Sequence, residues 1–329
     1  MHPSKSLAVA LAAVVMAATT ACGSAATDAT TASVANGAGG VLNLSAKQDR
    51  IVPAADPTVA AEVPEAIRKR GTIVIAQGAG AGDPPFAFPA SDDDSVFIGD
   101  EIDISQLIAG VLGLKLQSVN TSWEGLFLGI DSGRYDLGVS NITVTEARKD
   151  KYDFATYRKD NLAVEVPAAS TLTFTGPESF DGKTVAVGSG TNQEKILQQY
   201  DTDLKAKGHK GIDIKYYQDD TGVYAALASG QIDAYFGPNP ISAFHVAQTK
   251  GTPQATKIIG SVSGAGSTLQ GLIAATTKKD DGLIRAVRDA LDVVIRNGDY
   301  AKVLAKWNLT SEAVPTSVIN PPGLPRDNR

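Results

Sequence analysis

The stretch SNITVTEARKDKYDF, from Ser140 to Phe154, follows the apolar DLGV and strings hydroxyls, an amide and a single arginine together. A strand that ends in so many small hydrogen-bonding groups is expected to hold a small polar ligand. Ser140, Asn141, Thr143 and Arg148 are therefore the first candidates. Arg148 also has Glu146 and Asp150 within pairing distance in sequence, and Asn141 would suit a plain turn. A second stretch, GSGTNQE from Gly188 to Glu194, puts Thr191 and Asn192 at the start of a helix. Free N–H groups and the helix dipole favour an anion there, and both residue types also cap helices without any ligand. A third, GPNP, places Asn239 in a turn after an apolar strand.

The elements that must position these loops alternate. VPEAIRKRGTIVIAQ reads as a short helix, a glycine stop and a buried strand. ISQLIAGVLGLKLQSV and WEGLFLGIDSGRYDLGVS each read as helix then strand. FDGKTVAVGSGTNQEKILQQY and GVYAALASGQIDAYFGPNP repeat that grammar about a hundred residues later. The halves also share an offset: IDSGRYDLGVSN and LASGQIDAYFGPN both carry an aspartate, Asp136 and Asp233, three residues past a helix-ending glycine. The pattern implies an α/β fold of two similarly built lobes. In open α/β sheets ligands sit beyond the carboxyl ends of strands, so SNIT, GSGTN and GPNP should face one cleft.

With 329 residues and 43% hydrophobic content the chain can build two ordinary cores. A net charge of −6 disfavours nucleic acid or an anionic membrane face as partner. Asp92, Asp93 and Asp94 lack the alternating ligands of a calcium loop and read as a solvated turn. Lys5, an apolar stretch from Leu7 to Ala18 and TTAC describe a signal peptide over 1–21. Cys22, the one cysteine, resembles the lipidated residue of a bacterial lipobox and excludes an intrachain disulfide. Residues 22–63 are rich in small residues and read as a flexible tether, with local order allowed over NLSAKQDRIV. The folded body is then lipid-anchored on the extracytoplasmic face of the cell membrane. No metal-ligand cluster or nucleophile elbow is present, so no cofactor, no metal and no catalytic residue is expected.

Seven segments in order, among them RGTIVIAQ, DPPFAF, IGDEIDISQLIAGVLGLKLQ, ALASGQIDAY and LIRAVRDALDVVIRNGDYAKVLAKWNL, resemble family 3 of the bacterial extracellular solute-binding proteins. The resemblance implies a periplasmic-binding-protein type II-like fold, two α/β lobes joined by two crossings. Lobe 1 would take 64–163 and 271–312, lobe 2 would take 164–270, and 313–329 would be a loose tail. It further implies a monomeric carrier of an ABC importer that closes on a carboxylate-bearing solute and hands it to permease subunits. A sensor's binding module and a cyclohexadienyl dehydratase-like enzyme are the alternatives.

On the same resemblance Arg148 grips the ligand's carboxylate, as a planar guanidinium with paired donors can. Ser140, Asn141 and Thr143 contact the carboxylate and ammonium, while Thr191 and Asn192 add donors. Trp123 supplies an aromatic wall, and Phe86 either a second wall or a core residue. One departure stands out. Where the family carries the aspartate that binds the α-ammonium, five residues after Asp233, this chain has Pro238, with neutral Asn239 beside it. A modified amino acid, a betaine-like compound or a small acid would fit that change. An ordinary amino acid would fit if Asp83 or Asp100, the latter standing where an aromatic is usual, supplies the charge.

Overall fold

EAIRKR becomes a helix because nothing in it breaks one, and it stops at Gly71, whose left-handed φ of 69° lets its amide bond back to Ile67 and Arg68. The strand TIVIAQ follows directly. The computed structural model describes residues 33–35, 41–78 and 82–326. The expected signal peptide and Cys22 lie outside them. In chain order the elements are β1 Ser33–Ala35, β2 Val41–Asn43, α1 Pro57–Ala61, α2 Glu65–Arg70, β3 Thr72–Gln77, β4 Phe88–Pro89, β5 Phe97–Ile98, α3 Asp100–Val111, β6 Lys115–Asn120, α4 Trp123–Asp131 and β7 Leu137–Gly138. Then come β8 Tyr152–Pro167, β9 Thr184–Gly188, α5 Asn192–Ala206, β10 Asp213–Tyr217, α6 Asp220–Ser229, β11 Ala234–Pro238, α7 Asn239–Thr249, β12 Thr256–Ser263, β13 Gly271–Lys278, α8 Ile284–Asn297 and α9 Asp299–Lys306.

The strand order β10-β9-β11-β8-β13-β7-β3-β6, with β12 also on β8, contains two sheets that share one long strand. β8 pairs with β13 from Tyr152 to Asp160. It then pairs with β12 from Asn161 to Pro167 and with β11 from Leu162 to Glu165. The chain therefore passes between two α/β lobes within β8, and again between Ser263 and Gly271. This is the two-lobe architecture expected of the sequence. In lobe 1, α3, α8 and α9 bury Leu107, Ile108, Leu291 and Leu304 on one sheet face. α4 buries Leu126 and Ile130 with Phe154 on the other. Lobe 2 has its own core, with Val185, Ile196, Leu197 and Phe236.

The shared offset between the halves has a physical reason. Asp136 accepts the Val74 N–H at 2.7 Å, and Asp233 accepts the Thr184 N–H at 2.8 Å. Each aspartate ties the start of one strand to its parallel neighbour, so the same junction chemistry recurs in both lobes.

Two expectations are corrected. Over 41–63 the chain is not a loose tether: Leu42, Leu44, Val59 and Val63 are buried in the lobe 1 core. Asp56 N–H bonds Val111 O at 2.9 Å, which holds the segment on the end of α3. Small-residue composition hid four aliphatic side chains that have a hydrophobic face to cover. The tail is not loose either. Leu324 is buried, its N–H bonds Val144 O at 3.0 Å and its carbonyl accepts from Glu146 N–H at 2.9 Å. Gly323 allows the approach, since a Cβ there would lie 2.3 Å from Val144 O.

Candidate functional site

Three helices capped by a serine, a threonine and an aspartate start around one place. Ser122 accepts from Gly125 N–H at the start of α4, Thr191 from Glu194 N–H at the start of α5, and Asp219 from Gly222 N–H at the start of α6. These N-termini, with the loops after β3, β7 and β11, surround a cavity of about 460 Å³. It lies where open α/β sheets put their ligands, beyond the carboxyl ends of parallel strands.

Seven of the expected site residues line it: Asp83, Phe86, Trp123, Ser140, Asn141, Thr191 and Asn192. Ser140 Oγ accepts the Gly78 N–H at 2.8 Å and so fixes the loop after β3. Asn141 has a left-handed φ of 47°, a conformation asparagine tolerates better than most residues. Its N–H bonds Glu101 Oε1 at 3.1 Å, and its Oδ1 accepts from Arg158 Nη2. Trp123 stands edge-on to Phe127 with centroids 5.0 Å apart, and its Nε1 reaches Gly190 O at 3.4 Å. Thr191 both caps α5 and donates to Gly188 O, so capping and cavity lining are the same residue's work.

Asn192 is buried, and its Nδ2 donates to Asp160 Oδ2 at 3.0 Å and to Gly264 O at 2.8 Å. Thr143 donates to the same Asp160 oxygen at 2.7 Å. Burial pushes the Asp160 carboxyl up to about 6, against the pull of the Thr143 hydrogen bond.

Thr143, Arg148 and Asn239 are not among the residues lining the cavity. Arg148 lies at its edge, half-buried, with its guanidinium 5.2 Å from the Trp123 ring and 5.4 Å from the Phe127 ring. Its Nη1 donates to Thr143 O at 3.0 Å and its Nη2 to Gly190 O at 3.3 Å. Burial lowers its pKa to about 10, and the Asp160 charge opposes that shift. Arg148 remains a cation at neutral pH, beside the 188–193 loop that lines the cavity. Asn239 opens α7 and lines a separate small pocket against Trp307 and Leu309.

Of the two aspartates offered as substitutes at Pro238, only Asp83 is at the cavity, where Pro238 itself also lies. Asp100 is fully buried 3.8 Å from Arg158 Nε, and burial with the Glu101 charge pushes its carboxyl well above the usual range. Its departure from an aromatic is explained by that arginine. Arg158, itself buried, also pairs with Glu101 at 3.4 Å and with Glu312, and sits 4.7 Å from the Phe86 ring.

Sequence reading missed Asp219 and Asp220, which line the cavity with Asp83. Tyr235 OH donates to Asp220 Oδ1 at 3.0 Å. Burial, then the Asp220 and Asp219 charges, push the Asp83 carboxyl well up. Asp220 is raised to about 6, mainly by burial. The signal was available: QDDTG ends a strand and starts a helix, just as GSGTN does.

The family profile of the bacterial extracellular solute-binding proteins, family 3, matches residues 75–310. The chain belongs to that family. It is 30% identical over 242 residues to the L-cystine-binding protein TcyJ of Escherichia coli strain K12, covering 73% of this chain and 84% of TcyJ. It is 28% identical over 273 residues to the arginine-binding protein ArgT of Corynebacterium glutamicum, covering 83% and 86%. Among solved structures, an ancestral arginine-binding protein bound to arginine superposes with a TM-score of 0.62 at 26% identity, over 72% of this chain and 98% of that one. The ancestral amino acid-binding protein AncCDT-1, a precursor of cyclohexadienyl dehydratase, has the same fold, with a TM-score of 0.62 at 23% identity over 74% of this chain and 97% of that one. No helix among the described residues is long and apolar enough to cross a membrane.

Proposed function

We propose that this family 3 protein is the extracytoplasmic substrate-binding component of an ABC importer and that it captures an amino acid or amino acid derivative. Its two lobes close on the ligand and present it to permease subunits. Cys22 carries the lipid that holds the monomer at the membrane after removal of 1–21. The observation that carries this reading is the cavity between the lobes, walled by helix N-termini of both and by Ser140, Asn141 and Trp123. Helix starts favour an anionic group, and Arg148 at the edge offers the paired donors a carboxylate takes. Asp83 stands in for the aspartate replaced by Pro238, so an ordinary α-ammonium has a partner and no unusual amine end is required.

Thermal denaturation of the full chain against free amino acids, with their N-methylated and deaminated analogues, tests this. A ligand at a hundredfold excess over its Kd adds about 2.7 kcal/mol of stability. A free amino acid should raise Tm, its deaminated and N-methylated analogues should not, and Arg148→Ala should remove the response. Equal responses to the analogues would overturn the role of Asp83. Catalysis is not part of this reading. Turnover of prephenate-like acids would overturn that exclusion. Cys22→Ser should move the protein from the membrane fraction to the soluble one.

A further inference from the structure

Charge is distributed unevenly around the cavity. Asp83, Glu124, Asp219 and Asp220 line it, and no lysine, arginine or histidine does so among the described residues. Arg148, the cation at its edge, bonds two backbone carbonyls and lies against Trp123 and Phe127. The buried Asp160 behind it acts on it as a countercharge. An independent observation points the same way. Gln193 also lines the cavity, is only 6% exposed and has an Oε1 without a hydrogen-bond partner. One Asp220 oxygen is likewise buried and unpartnered. A buried acceptor left unmade costs about 1–3 kcal/mol, so the cavity wall is rich in acceptors and short of hydrogen-bond donors.

Asp83 belongs to the loop after β3 in lobe 1, while Asp219 and Asp220 start α6 in lobe 2. Closing the lobes brings like charges together out of water, which is unfavourable unless a cation lies between them. A neutral zwitterion brings one ammonium and one carboxylate. Its carboxylate is matched by Arg148 and the start of α5, and its ammonium leaves most of the acidic wall unanswered.

Resting on the amino acid reading above, we infer that the ligand has a net positive charge: one carboxylate and two cationic N–H-bearing groups, as in a basic amino acid. The second cation sits at the Asp219–Asp220 pair, opposite the α-ammonium held by Asp83, and couples binding to closure.

Calorimetric titration of the full chain with L-arginine, L-lysine, L-citrulline, L-norleucine, L-glutamate and agmatine tests the inference. Arginine or lysine should bind, with citrulline and norleucine weaker by on the order of a hundredfold, the cost of leaving a buried charge unpaired. Asp219→Asn should weaken the cationic ligand by about tenfold or more while leaving its neutral isostere unchanged, whereas Asp83→Asn should weaken both. If citrulline, norleucine or glutamate binds as tightly as the basic amino acids, the charge inference is overturned and the amino acid reading stands. If agmatine matches arginine, the carboxylate in the proposed function is overturned and the cationic wall stands. If none of the six binds, both are overturned.

Discussion

At the residue scale, Asp220 is unfavourable for the ligand-free fold. Burial, the first cause, raises its pKa from 3.8 to about 6. A carboxyl raised on folding costs stability wherever it is ionised in the folded state, fully above about pH 6, and the cost fades as pH falls towards 3.8. Asp220→Asn keeps an acceptor for the Tyr235 hydroxyl and removes the buried charge. It should therefore raise Tm at pH 8, with the gain vanishing near pH 4, and weaken the cationic ligand above about pH 6, the difference closing as Asp220 protonates. Thermal melts of both proteins across that range check this, and equal melting temperatures at pH 8 would show the charge to be cost-free. The wild type should bind a cationic ligand progressively less well as pH falls through about 6, because protonated Asp220 no longer attracts it. That stability is given up in favour of binding is a familiar signature of a functional site. Arg158 is the opposite case, holding Glu101, Glu312 and the Asn141 side chain at once. Arg158→Met should cost about 3–5 kcal/mol in denaturant unfolding, because it strands buried carboxylates without their cation.

At the element scale, the loop carrying Asp83 and Phe86 is fastened to the start of α3. Asp100 N–H bonds Pro85 O at 3.0 Å, and Glu101 N–H bonds Phe86 O at 3.0 Å. The residue between loop and helix is Gly99, with φ 136°, and a Cβ there would lie 2.0 Å from Phe86 O. Gly99→Ala should push the loop off the helix, lowering stability by about 1–3 kcal/mol. It should also weaken ligand binding, read by calorimetry alongside Asp83→Asn. Undisturbed affinity would mean that the loop's place is set elsewhere. This scale also separates what the sequence reveals from what it conceals. SNIT and GSGTN were legible as site loops because strand and helix periods place them locally, whichever way the lobes turn. Asp219 and Asp220 share that grammar and were still missed, since nothing local brings them to Asp83. Asp100 and Arg158 are 58 positions apart, and only the pairing of β8 within the sheet makes them neighbours.

For the whole molecule, the repeated strand-tying aspartates were readable because each is a local junction, whereas the two crossings came only with the family resemblance. The attachment of the N-terminal segment was not readable, because small residues mask what four aliphatic side chains do. Residues 41–63 place Leu42, Leu44, Val59 and Val63 in the core that α3, α8 and α9 share. Leu42 also lines the small pocket where Phe244 of α7, from lobe 2, meets Trp307 of lobe 1. Phe244 lies 5.8 Å from Phe88, which is itself 5.9 Å from Trp307. The segment 41–63 is thus part of lobe 1 and reaches the seam with lobe 2. Burying a Val or Leu side chain contributes about 1.5–3 kcal/mol. A chain beginning at residue 64 should therefore melt well below one beginning at residue 41 and bind its ligand less tightly, having lost both core and seam contacts. Calorimetry of the two lengths, each with and without ligand, separates these effects. A lower Tm with unchanged affinity would confine the segment to lobe 1 stability. Equal melting temperatures would show that the four side chains contribute nothing to the core they enter.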